Sequence, residues 1–191
     1  MDRLPVLDYT LALLGDVIGS LDDSLVEGPT NCPPWTVRRL ASHALNNQLL
    51  WAGLVTGQSL VTTEVAMGAV AIEGDLGPVA AEVTSRTSVL WHTEGILDAI
   101  HETPFGPLPG SVVVDFAIID AAAHAWDVAD SVGRPIEFAP PWIPVLSEVV
   151  AATCNDAARE HGLIKAPTTP PPDATDTERL MSLAGRTARR G

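Results

Sequence analysis

The chain has 191 residues, 46% of them hydrophobic, with 11 Lys and Arg against 24 Asp and Glu and a formal net charge of −13. A field of that sign repels nucleic acid and anionic lipid, so neither is an expected partner. The length suits one domain with a sizeable core, and the apolar content excludes a disordered chain. No apolar run reaches membrane-spanning length, and Met1-Asp2-Arg3-Leu4-Pro5 does not open a secretory signal. Cys32 and Cys154 stand apart without a CxxC partner, so a disulfide framework is not expected and a reducing cytoplasm is.

Leu7, Leu11, Leu14, Ile18, Leu21 and Leu25 recur at helical spacings, which predicts a first helix over Leu4–Val26 stopped by Gly28-Pro29. Cys32-Pro33-Pro34-Trp35 then forms an extended entry to a second helix, Trp35–Val55, closed at Gly57. Its inner stripe reads Leu40, His43, Asn47, Leu50 and Leu54, an imidazole and an amide among leucines. Residues 59–76 read as an irregular connection, with Thr62-Thr63-Glu64-Val65 open to strand or loop.

A third helix is expected over Val79–Ile100. His92 and Glu94 are noted there as candidate site residues, although a solvated face explains them equally well. Thr103 to Gly110 reads as a Pro/Gly loop leading into a fourth helix, Ser111–Val132. A further helix is expected over Pro144–Glu160. Beyond it lie a proline-rich stretch, Ala166–Thr175, and a short helix, Thr177–Ala184. Arg189-Arg190 is too short for a nucleic-acid arm.

The fourth helix carries the chemistry. Asp120 and His124 are four residues apart, so they share a face with Val113, Phe116, Ala117 and Asp127. Burying a carboxylate and an imidazole costs several kcal/mol unless they are paired, hydrogen-bonded or metal-bound. On this helix alone, a buried Asp–His hydrogen bond is the simpler account.

Four striped helices in succession predict an all-α fold, a four-helix bundle over residues 1–165, with an extra C-terminal helix. Residues 166–191 then form a proline-rich tail whose short helix packs on the bundle. Bundle cores assemble metal sites from facing helices. His43, Asp120 and His124 make a three-ligand set for a divalent metal with an open position, zinc first, with nickel, iron and manganese as alternatives. That position would take water or a thiol and lower its pKa. Asn47 and Asp127 either orient the ligands or are plain buried hydrogen-bond partners. The chain has no GxGxxG, Walker loop, HExxH or GxSxG, and the prolines beside Cys32 supply no base.

The run Pro-Thr-x-Cys-x-x-Trp-x-Val-x-x-Leu-x-x-His, Pro29 to His43, resembles the opening signature of the DinB-like superfamily. The closer likeness is to its actinobacterial branch related to mycothiol-dependent maleylpyruvate isomerase. Pro104-Phe105-Gly106-Pro107-Leu108-Pro109-Gly110, followed by Asp120, His124, Trp126 and Asp127, resembles the second signature. Pro170-Pro171-Pro172 through Asp176, Arg179 and Leu180 to Gly185-Arg186 is similar to the closing pattern.

The resemblance covers nearly the whole chain. It implies a DinB-type bundle with His43, Asp120 and His124 as metal ligands and mycothiol as cosubstrate. The implied activity is that of a thiol S-transferase or isomerase acting on a small electrophile through a metal-bound thiolate. Asp120 stands where the characterised isomerase has a glutamate, and that enzyme's additional C-terminal domain is expected to be missing. The alternatives are a metal-water hydrolase, a non-catalytic metal- or ligand-binding bundle, and a structural bundle with a polar core. The expected partners are the small thiol and its electrophile; a homodimer is common for compact bundles.

Overall fold

The computed structural model describes residues 2–160, 162 and 164–188. Its long helices are α1 (Leu4–Gly19), α2 (Val37–Thr56), α4 (Leu76–Trp91) and α5 (Gly110–Ser131), with a one-turn α3 (Thr63–Ala66) between α2 and α4. α1 packs on α4 and α5, and α2 packs on the same two, so the four close a bundle in the order α1, α5, α2, α4. Leu7, Leu11, Leu14 and Ile18 of α1, Leu40 and Leu45 of α2, and Ile118 of α5 fill its centre. Among the described residues no helix is long and apolar enough to cross a membrane.

α1 ends at Gly19, earlier than the leucine spacing suggested. Leu21 and Val26 still pack against the core, but through turns in a stretch rich in Asp and Ser, which compete for backbone hydrogen bonds. Arg134 pins the end, donating from Nη1 to the Ser20 carbonyl at 2.9 Å and from Nη2 to Asp22 at 2.9 Å. α2 starts at Val37 rather than Trp35, because the Thr36 side chain accepts from the Arg39 N–H as an N-cap; Gly57, at φ 68°, closes it.

α4 begins earlier than expected, at the Asp75 cap, and stops at Trp91 rather than Ile100. The turns that follow it meet the start of α5: Gly110 N–H donates to the Ala99 carbonyl at 2.9 Å and Ser111 N–H to that of Leu97 at 2.8 Å. Two otherwise unpaired donors of the α5 N-terminus are thereby satisfied. A Cβ at Gly110 would stand 2.0 Å from the Ile96 carbonyl oxygen, so only glycine permits this approach.

The expected Pro/Gly loop is an antiparallel hairpin, β1 (Ile100–Thr103) against β2 (Gly106–Pro109), with Ile100 opposite Pro109 and Thr103 opposite Gly106. In a two-stranded sheet both strands are edges, so prolines without an N–H are tolerated. The helix expected over Pro144–Glu160 is divided into α6 (Ile143–Thr153) and α7 (Asp156–Glu160), preceded by a 3-10 turn at Pro140–Trp142. The Asn155 side chain accepts from the Ala158 N–H and restarts the helix after Cys154. α8 (Asp176–Leu183) opens with a capping box of Thr175 and Glu178 and packs on α6. Arg189 and Arg190 lie outside the described residues.

Candidate functional site

α2 and α5 run antiparallel along one seam, and three pairs mark its register. Trp51 stacks on Phe116 (ring centres 5.6 Å apart, planes at 25°), Asn47 Nδ2 donates to Asp120 Oδ1 at 3.0 Å, and the rings of His43 and His124 lie 4.9 Å apart. Each turn forward on α2 is matched by one turn back on α5. The three residues expected as ligands are thus brought to one place by the packing of two helices.

His43 is buried and anchored from outside the pair: its Nδ1–H donates to the Ala66 carbonyl, at the end of α3, at 2.5 Å. A carbonyl only accepts, so the proton sits on Nδ1 and Nε2 keeps its lone pair. That nitrogen faces Asn47 Nδ2 at 3.3 Å, and the edge of Trp35 covers the ring at 4.7 Å. Burial, helped by the charge of His124, lowers the His43 pKa.

His124 stands between two carboxylates, with Nε2 3.4 Å from Asp120 Oδ1 and Nδ1 3.4 Å from Asp127 Oδ2. Both are ion-pair contacts rather than aligned hydrogen bonds, and Nδ1 is buried without an aligned acceptor. Burial pulls its pKa down, but Asp120 and then Asp127 outweigh it and raise it to about 9. The Asp120 carboxylate is held at both oxygens, since Gln48 Nε2 donates to Oδ2 at 2.8 Å while Asn47 holds Oδ1. Burial would raise its pKa; the neighbouring His124 prevails and lowers it.

Asp127 is completely buried. Asn31 Nδ2 donates to its Oδ1 at 3.1 Å, and Arg186 Nη2 meets its Oδ2 at 3.2 Å. Burial is again overcome, here chiefly by the Arg186 charge, and its pKa falls to about 2. Gln48, Asn31 and Arg186 were not among the residues expected at the site. Gln48 could have been noticed as a second amide beside Asn47 on an apolar helix. Asn31 and Arg186 sit 96 and 59 residues from Asp127 in the chain, where no local pattern points to it.

The other noted residues lie elsewhere. His92 pairs with Asp8 at 2.9 Å on the surface, and Glu94 is exposed. Cys32 donates its thiol proton to Asn31 Oδ1 at 3.3 Å, while Cys154 is buried beside Thr153. Beyond Trp51 and Phe116 the seam ends at the hairpin, where Phe105, 43% exposed, comes within 5.9 Å of Phe116. An open cleft of about 530 Å³ lies between the second half of α2 and β1, lined by Leu50, Leu54, Ile100 and Glu102 among others.

Among the described residues no three His, Cys, Asp or Glu side chains converge in an arrangement that could hold a metal ion. The Asn47 amide bridges His43 Nε2 and Asp120 Oδ1. The donor chemistry nevertheless suits a divalent cation. One imidazole has an unprotonated Nε2, met only by the Asn47 amide, with its other nitrogen on a carbonyl, a second stands in front of a carboxylate, and the third donor is an ionised carboxylate held by amides. A cation would replace the proton that His124 otherwise carries.

The sequence profile of the mycothiol maleylpyruvate isomerase N-terminal domain matches residues 10–129. The crystal structure of the mycothiol-dependent maleylpyruvate isomerase superposes with a TM-score of 0.63 at 18% identity, covering 84% of this chain and 71% of that one. At that identity the likeness shows the shared helical fold. No curated protein matches significantly. With the profile spanning more than half of its length, including α2 and the part of α5 that carries Asp120 and His124, the chain belongs to the mycothiol maleylpyruvate isomerase N-terminal domain family.

Proposed function

We propose that the protein binds a divalent metal, zinc first, through His43, Asp120 and His124, and uses mycothiol in a transferase or isomerase reaction on a small electrophile. The observation that carries the metal is the His43 tautomer. With Nδ1–H on the Ala66 carbonyl, Nε2 is left as a lone-pair donor in front of Asn47, in a ring 4.9 Å from that of His124. The thiol and the reaction class rest on the family and on the name of the structural neighbour. A divalent ion here would supply a Lewis acid that favours the thiolate form of the cosubstrate near neutral pH.

The chain's own residues do the rest. Asn47 and Gln48 keep the Asp120 carboxylate oriented and charged, Asp127 sets the face that His124 presents, and Trp35 shields the His43 ring from water. A second reading, a non-catalytic bundle with a polar core, draws on one observation: a proton on His124 already neutralises the cluster.

Elemental analysis of tag-free protein, with His43→Ala and His124→Ala, separates the two. Near-stoichiometric metal in the parent and its loss in both variants supports the site, and mycothiol-dependent consumption of an electrophile then tests the chemistry. A parent that holds no metal and takes up none from zinc, nickel or manganese would leave the polar-core reading.

A further inference from the structure

The family profile ends at residue 129, yet the site draws on a residue far beyond it. Arg186 follows α8 and reaches the buried Asp127 with Nη2 at 3.2 Å from Oδ2, the same oxygen that lies 3.4 Å from His124 Nδ1. Among the described residues Arg186 is the only Lys or Arg paired with Asp127. The other side chains on that carboxylate are Asn31 and His124, and Asn31 is shared with Asp130 at 3.4 Å.

The position of Arg186 is built, not incidental. Gly185 adopts φ 80°, and a Cβ there would stand 2.7 Å from the Lys165 carbonyl oxygen, so the chain passes too close for any other residue. Arg186 N–H donates to the Met181 carbonyl at 2.9 Å, its Nη1 to that of Ala184 at 2.8 Å, and its own carbonyl accepts from the Thr168 hydroxyl. Backbone and guanidinium are both fixed before Asp127 is reached.

We propose that Arg186 is a positioning residue for His124: by holding Asp127 Oδ2 it turns the imidazole so that Nδ1 faces Asp127 and Nε2 faces Asp120 and the seam. The C-terminal segment thereby completes a site otherwise made by α2 and α5. Asp127 alone would be a buried carboxylate with an amide and a distant imidazole; the guanidinium keeps it charged and in place. The inference rests on the reading of His124 as a ligand, and its test is chosen to work without metal.

The test uses the full chain and four forms: parent, Arg186→Gln, Asp127→Asn and the double variant. In chelator-treated protein, nitrogen-15 NMR of the histidine rings reads the His124 Nδ1–H and its protection from exchange. Zinc affinity is read separately, by competition with a chromophoric chelator. Arg186→Gln is expected to abolish the protected Nδ1–H signal and weaken zinc binding about 10- to 100-fold, the range for lost outer partners of a metal ligand. In the Asp127→Asn background the same change should cost less than about threefold, because its route to His124 is already cut.

An unchanged His124 signal in Arg186→Gln, or two substitutions whose effects simply multiply, would overturn the proposal, even if the variant melts earlier. If the parent takes up no zinc but its His124 signal still depends on Arg186, the metal reading fails and the positioning stands. Should Arg186→Gln not fold, Arg186→Lys decides by the same ring signal: weakened protection supports the proposal and parent-like protection overturns it.

Discussion

His43 and His124 face each other across one seam, with ring centres 4.9 Å apart, yet their surroundings drive them to opposite states. His43 rests on a backbone carbonyl and a tryptophan edge; burial lowers its pKa and leaves it neutral, with an unprotonated Nε2 facing the Asn47 amide. His124 sits between Asp120 and Asp127, which outweigh burial and raise its pKa to about 9. Residue type and depth are similar, so fixed charge decides between them. Under the proposed metal-binding function, a neutral donor beside a cation paired with a carboxylate would exchange one proton for one metal ion.

The comparison can be broken hardest at Asp127. Asp127→Ala removes the shared partner of Arg186 and His124 and leaves two buried cations, so stability should fall by about 3–5 kcal/mol, read from urea unfolding.

Next comes pH in metal-free protein. The His124 pKa is raised in the fold, so its contribution is complete below the unfolded value of 6.5 and is lost as pH rises through about 9. His43 has the opposite sign: its pKa is lowered, so its contribution is present above 6.5 and is lost as pH falls. Thermal melting from pH 5 to 10 should therefore decline on both sides. His124→Asn should flatten the alkaline side and, because the His124 charge helps lower the His43 pKa, soften the acid side to a lesser degree. An alkaline limb that His124→Asn leaves intact would contradict the assignment of the charge.

A smaller effect is expected at His43→Gln. Loss of the hydrogen bond to Ala66 should cost about 1 kcal/mol, while any bound metal is lost outright, so the two readouts part company. Smallest of all is the surface pair, where His92 and Asp8 side chains are 48% and 40% exposed. His92→Gln should change stability by less than about 0.5 kcal/mol and leave metal content untouched; a larger effect would mean that exposure fails to separate it from the buried His–Asp pair.

The sequence by itself determined the long helices, because apolar periodicity is a property of neighbours in the chain. It also determined that Asp120 and His124 share one turn, that Gly57 closes α2, and that His43 and Asn47 lie on one stripe, whereas the Thr36 cap moves the start of α2 two residues beyond Trp35. Where short-range competition governs, periodicity misled: α1 yields to Asp- and Ser-rich turns at Gly19, and the Pro/Gly stretch before α5 pairs into a hairpin.

Only the tertiary structure decided the chemistry of the cluster. The Ala66 carbonyl that selects the His43 tautomer is 23 residues away, Gln48 meets Asp120 across 72, and Arg186 meets Asp127 across 59. Protonation and tautomer depend on which atoms lie within about 4 Å, and helix packing, not local pattern, brings those atoms together.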